Sequence, residues 1–365
     1  MKGTQAIRYV LVASFLFTIL IANKLWFGDS RIIPTIGMWQ DAIQLSTLIQ
    51  NICSTGLVLG LLLSLSNKLY RYGIILSVLA FSILVIDDIN RLQTYYYQYL
   101  AMLVCLSVLR KQGEVNQASA LYLIVVGIYF HSGLTKLNTN FIHYVFPNML
   151  YAFHYVSLES WQYSPWQFIA YSIPLGEIIL AILILLPKTR KIGLYAALVL
   201  HLGILFSIGP LGLDWNPIVW IWNLSMMALN WSLYNTLQDR NISYKNIVSL
   251  AVLVFFILMP FFNRLGLWDS SLSFSLYSGK TPNRQLHVSQ FKPAQDIPLF
   301  YIEQDSFIDL NVWALQDLNT AIYAEDWVFD EVAEQICEQV SCDTIIPFQV
   351  YKQSISYVDY DLNRK

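Results

Sequence analysis

Charged residues are scarce in this chain: Asp, Glu, Lys and Arg make up 13% of its 365 residues. An ordinary soluble domain has about a quarter of its residues charged, so this composition excludes the soluble globular class. Hydrophobic residues reach 56%. They gather in runs of about 18–22 residues, the length that crosses about 30 Å of hydrocarbon. These runs predict an all-α polytopic membrane bundle.

Motifs typical of metal centres and phosphate-binding enzymes are also missing. The sequence has no His-x-x-x-His, paired Glu-x-x-His or Cys-x-x-Cys spacing, which argues against a tight metal site. It has neither a glycine-rich phosphate loop nor a nucleophile elbow. It also has no basic patch of the kind that binds nucleic acid. We therefore expect no metal cofactor and no nucleic-acid partner.

About nine apolar runs qualify as transmembrane helices, and the last ends close to Arg264. The net charge changes sign at the same point, from +7 over residues 1–264 to −9 over residues 265–365. The sequence therefore predicts a transmembrane domain, 1–264, followed by a small acidic domain, 265–365. The nine runs are Ile7–Leu25, Leu45–Ser66, Tyr70–Ile86, Tyr95–Leu109, Ala118–Thr135, Gln167–Leu186, Ile192–Ile208, Pro217–Leu233 and Ile247–Phe262.

The distribution of positive charge predicts the orientation. Eleven Lys and Arg residues fall in one set of connections between the runs and five in the opposite set. Positive residues collect on the cytoplasmic side of a membrane. The N-terminus is therefore predicted to be cytoplasmic, and the acidic domain exoplasmic, which is periplasmic in a bacterium.

The acidic domain combines strand-like and helical patterns. Leu272–Ser278, Leu286–Phe291 and Phe348–Ser356 alternate like strands, and Asp326–Val340 has apolar residues at helical spacing. We predict a small exoplasmic α+β domain.

Cysteines are few, and the four fall into two pairs. Cys53 and Cys105 lie in apolar runs, as inert packing residues do. Cys337 and Cys342 lie in the acidic domain and can pair in an oxidising compartment. Their spacing is not a redox motif, so we favour a structural disulfide over a redox dithiol.

Polar side chains inside the apolar runs mark a candidate site, because ionisable groups within a membrane are rare and mostly functional. The stretch Ile128–Asn138 carries His131 and Lys136. At about 1.5 Å per residue, Lys136 reaches the outer boundary of its helix, while Glu177 and His201 lie near mid-membrane. These depths predict a pocket that opens to the exoplasmic face.

Two further groups approach the same side. Asn90 and Arg91 follow the end of the third run, and Trp222 and Asn223 lie near the start of the eighth. We expect them to contribute hydrogen bonds and aromatic surface to the pocket.

Each ionisable residue also has a purely structural explanation. Lys136 can be an anchor whose ammonium group reaches the headgroups, or a partly desolvated amine that acts as a base. Glu177 and His201 can simply pair with each other across neighbouring helices. His131 can be a neutral imidazole packed within the bundle.

A resemblance to a known family bears on this choice. Tyr129–Asn138 (YFHSGLTKLN) resembles the signature of the horizontally transferred transmembrane (HTTM) domain, the membrane core of vitamin K-dependent γ-glutamyl carboxylase. Asp88–Arg91 resembles that family's Asp-x-Asn motif. His201 with Phe206–Gly209 resembles its His…Phe-Ser-Ile-Gly segment, and the SLSFSLYSG run resembles its strand at the start of the lumenal part.

The resemblance implies that a reduced naphthoquinone, either reduced vitamin K or menaquinol, is oxygenated. It also implies that this oxygenation is coupled to carboxylation or another modification of a substrate at the exoplasmic face. The resemblance implies that Lys136 is the base and that His201 steers the intermediate. Glu177 and His131 are further candidate catalytic residues because they are polar groups within the apolar runs. The candidate cofactor-binding residues are Asn90, Arg91, Trp222 and Asn223.

Two other functions stay open from the sequence. One is a quinone-linked redox membrane protein that carboxylates nothing. The other is a non-enzymatic accessory subunit whose acidic domain docks an exoplasmic peptide or protein partner. Membrane lipid and a quinone are the small-molecule partners that we expect for this protein.

Overall fold

The computed structural model describes residues 3–28, 30–39, 42, 44–151, 161, 165–287, 307–340 and 344–347. Most of the first 264 residues are helical. A π-helical turn over Phe141–Val145 precedes the seventh helix, and a 3₁₀ segment over Pro165–Tyr171 precedes the eighth. The helices are α1 (Gly3–Ile21), α2 (Asn23–Trp26), α3 (Thr47–Leu63), α4 (Tyr70–Asp87), α5 (Thr94–Val108), α6 (Glu114–Lys136), α7 (Phe146–Tyr151), α8 (Ser172–Leu185), α9 (Arg190–Ile208), α10 (Pro217–Leu237) and α11 (Ile247–Val252).

Within the described ranges, six helical segments are long and apolar enough to cross a membrane, so the chain is an integral multi-pass membrane protein. Three predicted runs fall outside this set. Helix α3 is apolar but has 17 residues, α5 has 15 and begins with tyrosines, and α10 carries several polar side chains. The count of nine spans stays a prediction. The six segments are Gly3–Ile21, Tyr70–Asp87, Glu114–Lys136, Gln167–Leu185, Arg190–Ile208 and Ile247–Leu265.

Helix α6 lies at the centre of the bundle. Its most apolar window is 78% buried, against 33% for the windows that include α8 and α9. Such a helix needs small residues where its neighbours pack closest. A Cβ atom added at Gly133 would lie 2.5 Å from the carbonyl oxygen of Pro174. Gly133 therefore allows α6 and α8 to pack backbone against backbone.

The segment after α11 changes its helical form before it leaves the bundle. It continues as a π-helix over Leu253–Leu258 and as a 3₁₀ helix over Met259–Leu265. A Cβ atom added at Gly127 would lie 2.3 Å from the carbonyl oxygen of Phe256. The same central helix is thus in close contact with the π-helical part of this segment.

The predicted strand at Leu272–Ser278 is wrong. The segment contains a 3₁₀ turn over Ser271–Ser273, and Phe274 and Tyr277 have left-handed φ values of 57° and 55°. A left-handed residue breaks the extended backbone that a strand needs. The serines of this alternation are buried within the loop and do not form the exposed face of a strand.

Beyond this loop the described chain forms a three-stranded antiparallel sheet with two helices. The strand order is β2–β1–β3, and Leu286 of β1 pairs with Ile308 and Ile345. The predicted helix is confirmed as α13, whereas the predicted strand Phe348–Ser356 and most of Leu286–Phe291 lie outside the described residues. The elements are β1 (Arg284–His287), β2 (Phe307–Asp309), α12 (Leu310–Asp317), α13 (Asp326–Val340) and β3 (Thr344–Pro347). A separate α+β domain stays a prediction.

Hydrogen bonds join this C-terminal region to the helix ends. The Asp317 carboxylate accepts from Lys24 Nζ at 2.9 Å and from the backbone N–H groups of Ile32 and Ile33 at 2.6 and 3.0 Å. Its side chain is 2% exposed. One buried carboxylate therefore satisfies two backbone donors and one cation.

A second contact between the C-terminal region and the loop after α11 also involves carboxylates. Glu325 Oε1 accepts from the Ser270 N–H at 2.6 Å, and the Tyr323 hydroxyl donates to Asp269 at 2.6 Å. Burial, together with the negative charges of Asp269 and Asp326, raises the pKa of Glu325 above its usual range.

We predict that Asp317→Ala lowers the free energy of unfolding by about 3 kcal/mol, because it leaves the buried N–H of Ile33 and the partly buried N–H of Ile32 without an acceptor. Thermal unfolding of the purified protein measures the loss. Asp330→Ala is the control, because Asp330 is 50% exposed in its pair with Arg284, and exposed pairs contribute under about 1 kcal/mol. Equal losses in the two variants would contradict the contact.

We also predict that Glu325→Gln stabilises the protein more at pH 8 than at pH 4. A raised folded-state pKa gives stability that is present below the unfolded pKa of about 4.3 and is lost as pH rises through the folded value. Glutamine keeps the acceptor for Ser270 but does not ionise. Melting temperatures across this range test the sign, with the exposed Glu334→Gln as control. A gain that is independent of pH would refute the expectation.

Candidate functional site

A cavity of about 820 Å³ lies between α6, α8, α9 and α10. Ligand pockets for small molecules measure about 300–1,000 Å³ and are mostly apolar with a few converging polar groups. Aliphatic and aromatic side chains form most of this wall. The polar side chains among its described residues include Tyr129, Ser132, Lys136, Glu177, His201 and Asn223.

An ion pair forms one part of the polar lining. Lys136 Nζ donates to both carboxylate oxygens of Glu177 at 2.9 Å and also to the hydroxyl of Ser132. Ser132 and Lys136 are four residues apart, so they share one face of α6. The close approach at Gly133 brings Glu177 on α8 to the same face.

The geometry separates the two explanations for Lys136. Its side chain is 8% exposed, and that of Glu177 is 4% exposed. All three ammonium hydrogens are directed to partners inside the bundle, whereas an anchor extends its amine to the headgroups. Lys136 therefore belongs to the cavity.

His201 forms the centre of a second polar group. Its Nε2 lies 2.6 Å from the Tyr129 hydroxyl, and its Nδ1 lies 2.7 Å from Asn223 Oδ1. Asn230 Nδ2 donates to the same Tyr129 oxygen at 2.8 Å. Glu177 and His201 thus have separate partners. The structural explanation in which they pair with each other is therefore wrong.

These contacts assign the proton on the His201 ring. Because Asn230 donates to the Tyr129 oxygen, the Tyr129 O–H is available to donate to Nε2 of the ring. The ring then carries its proton on Nδ1, from which it donates to Asn223 Oδ1, whose own amide donates to the Val219 carbonyl at 2.7 Å. A neutral imidazole therefore satisfies both ring nitrogens, the Tyr129 hydroxyl and Asn223 Oδ1.

Trp222 also lines the cavity, and a hydrogen bond to a residue of α5 fixes the orientation of its indole ring. Its Nε1 donates to Gln98 Oε1 at 2.7 Å, and Gln98 Nε2 contacts the Met226 sulfur at 3.1 Å. The predicted residues Lys136, Glu177, His201, Trp222 and Asn223 therefore meet at one cavity.

The structure does not bring His131 to this cavity. Its Nε2 bonds to the Ile257 carbonyl at 2.8 Å, and its ring packs edge-on against Phe130 and Phe261. Successive helical residues lie about 100° apart, so His131 is turned away from the face of Ser132. It has the packed position that its structural explanation expected.

Asn90 and Arg91 lie elsewhere, at the junction with the C-terminal region. Asn90 Oδ1 accepts from the Tyr323 N–H at 2.9 Å. Arg91 is fully buried and bonds to Asp87 and to the Leu25 carbonyl at 2.8 and 2.9 Å. Both side chains are bonded to groups at this junction, and neither lines the cavity.

The predicted site residues do not include Tyr129, Ser132 or Asn230, although the first two lie in the Tyr129–Asn138 stretch that the sequence singled out. A signal for the first two exists, since Tyr129, Ser132 and Lys136 follow the i, i+3, i+7 spacing of one helix face. Asn230 has no such signal, because its partner lies 101 residues away.

The structure tests the predicted disulfide between Cys337 and Cys342 only in part. Cys337 is disulfide-bonded, while Cys342 lies outside the described residues, so their pairing stays a prediction. Cys53 and Cys105 are free thiols. In the part of the chain that the structure describes, no group of three or more His, Cys, Asp or Glu side chains could hold a metal ion.

A family model described as "Methylamine utilisation protein MauE" matches residues 115–212. The matched range runs from α6 to just beyond α9 and includes Lys136, Glu177 and His201. It covers less than half of the chain and is a similarity over that range. No curated protein and no solved structure matches the chain.

The resemblance to the HTTM domain and the vitamin K-dependent carboxylases is wrong. The family model that covers the YFHSGLTKLN helix is MauE, and no HTTM or carboxylase model matches. Local packing accounts for the shared letters: Gly133 lets α8 approach, and Asn138 Nδ2 donates to the Ser278 carbonyl at 2.8 Å. A short pattern of this kind does not carry an activity with it.

We predict that Lys136→Met alone destabilises the protein by about 3–5 kcal/mol, since it leaves the Glu177 carboxylate buried and unpaired. The double variant Lys136→Met, Glu177→Leu should be more stable than either single variant, because no buried charge remains. Unfolding in lipid nanodiscs measures all three. Additive losses, or no loss in Lys136→Met, would contradict a buried ion pair.

Proposed function

We propose that this chain is an accessory membrane protein that binds a lipid-soluble ligand with a hydroxyl-bearing head in the cavity between α6, α8, α9 and α10. The observation that carries the proposal is a cavity of about 820 Å³ whose apolar walls meet at the Lys136–Glu177 ion pair. An apolar ligand body matches the walls, and a polar head matches the pair.

The hydrogen-bonding capacity that remains at Lys136, Glu177 and Ser132 indicates which polar head group the ligand carries. The three N–H donors of Lys136 are used by Ser132 and Glu177. An ionised carboxylate has about four acceptor sites, and Glu177 accepts two bonds from Lys136, so it can accept more. Ser132 accepts from Lys136 and keeps its own O–H to donate. A head that both donates and accepts fits these groups.

An isoprenoid quinol meets these requirements. Its hydroxyl donates to Glu177 and accepts from Ser132, and its apolar chain lies along the aliphatic walls. The oxidised quinone has carbonyl acceptors only, so it can accept from Ser132 but has no hydrogen to donate to Glu177. The proposal therefore favours the reduced form of the ligand.

Two observations support an accessory role over catalysis. The three N–H donors of Lys136 and both ring nitrogens of His201 are already engaged, so neither group could act as a general base without leaving its partner. The family model that matches is named for methylamine utilisation. We propose that the chain serves an amine-using system by holding a membrane ligand near a partner protein.

The orientation belongs to the same proposal. The excess of Lys and Arg in one set of connections supports a cytoplasmic N-terminus. The C-terminal region then faces the exoplasmic side, where a partner would dock.

The test is a comparison of menaquinol-4 with its dimethyl ether, which has no O–H donor. We predict that wild-type protein in nanodiscs binds the quinol about tenfold to a hundredfold more tightly, because a hydrogen bond to a charged group contributes about 1.5–3 kcal/mol. Glu177→Gln should remove most of this difference. The binding constants are measured by intrinsic fluorescence quenching under anaerobic conditions.

Two control variants separate binding from folding. Asp87→Asn also removes one charge of a buried ion pair, that with Arg91, but Asp87 does not line the cavity. Gly176→Phe should block the ligand, because a Cβ atom there meets open space at the cavity wall. Leu175→Phe, at the neighbouring position, should bind normally, because Leu175 does not line the cavity. Equal binding of both ligands by wild type, or loss of binding in Asp87→Asn, would refute the proposal.

A further inference from the structure

A second cavity, of about 220 Å³, lies between the helix ends and the C-terminal region. Its wall includes the start of α5, the residues around the start of α10, the loop after α11 and part of α12. At about 30 Å³ for each water molecule it has room for roughly seven waters. A ligand the size of a small amide or sugar would fit.

The lining of this pocket has an unusual composition. None of its described residues is Asp, Glu, Lys, Arg or His. Five carboxamide side chains contribute instead, beside aromatic rings such as Trp215 and Phe329. A charged ligand would lose its hydration here without gaining a counter-charge. The pocket therefore suits an uncharged polar molecule. The carboxamides are those of Gln93, Asn148, Asn216, Asn283 and Asn311.

Three lining residues keep a buried polar atom without a hydrogen-bond partner: Asn216 Oδ1, Asn311 Oδ1 and Ser275 Oγ. Asn216 is 6% exposed and Ser275 is 4% exposed. Buried polar groups are almost always paired in folded proteins, because each unpaired group costs about 1–3 kcal/mol. The two amide oxygens are acceptors only, so what they lack is a donor.

The backbone around the pocket is also strained. Asn216 has φ of 54° and Tyr277 has φ of 55°, in the left-handed region that most residues avoid. Asn216 Nδ2 donates to the Tyr277 hydroxyl at 3.1 Å, which ties the two strained residues together. Strain of this kind collects at ligand-binding sites, where the surrounding structure maintains it.

We propose that this pocket is a binding site for a small uncharged molecule that donates hydrogen bonds through N–H or O–H groups. The donors pair with the free oxygens of Asn216 and Asn311 and with the hydroxyl of Ser275. Leu276 and Tyr277 line both this pocket and the larger cavity. The site is thus separated from the membrane ligand by one pair of residues, but its chemistry does not depend on that ligand.

Acetamide and N,N-dimethylacetamide are suitable probes, because they differ in their N–H donors. Ligand-observed NMR on the full chain in nanodiscs measures both dissociation constants. We predict that acetamide binds at least about tenfold more tightly than the dimethyl compound. Equal affinities, or no binding of acetamide because water alone fills the pocket, would overturn the proposal.

Matched variants show whether the free oxygens are the binding groups. Ser275→Ala and Asn311→Leu remove unpaired atoms, so each should raise the melting temperature of the free protein while weakening acetamide binding at least about fivefold. Ser273→Ala is the control, because Ser273 Oγ is also buried and unpaired but does not line the pocket. It should raise the melting temperature and leave acetamide binding unchanged. Equal weakening in Ser273→Ala and Ser275→Ala would overturn the proposal.

Discussion

The buried pairing of Lys136 with Glu177 is the constraint on which the rest of the site depends. A single charge within a membrane protein is expensive, and a second charge offsets that cost only when the two are held in contact. Contact between side chains on α6 and α8 requires the helices to lie close together, which Gly133 permits. The cavity lies beside this contact, between α6, α8, α9 and α10.

The placement of individual polar groups in the cavity was largely predictable from the sequence. Lys136, Glu177, His201 and Asn223 are rare polar positions in apolar runs, and helical rise alone gives their approximate depths. Their pairing was not predictable, because it depends on how each helix is rotated against its neighbours. His201 bonds to Tyr129 whereas Glu177 bonds to Lys136, and no periodicity within one helix contains that information.

Other expectations failed for identifiable reasons. The alternation over Leu272–Ser278 matches a strand, but left-handed residues at Phe274 and Tyr277 turn the chain into a loop between two cavities. Arg91 was expected at the ligand, yet a helix end with unsatisfied carbonyl oxygens also attracts a buried guanidinium. Arg91 accordingly bonds to the Leu84 and Leu25 carbonyls. The resemblance to the carboxylases rested on a short pattern in which Gly133 permits close helix packing and Tyr129 and Lys136 line the cavity.

The most direct test of the account is a cryo-electron microscopy map of the protein in nanodiscs supplied with menaquinol-4. The account predicts elongated density along the apolar wall of the cavity, with its head within hydrogen-bonding distance of Glu177 and Ser132. It also predicts that the Lys136 side chain points inward to Glu177. A map in which Lys136 extends to the headgroups and the cavity is closed by side chains would contradict it.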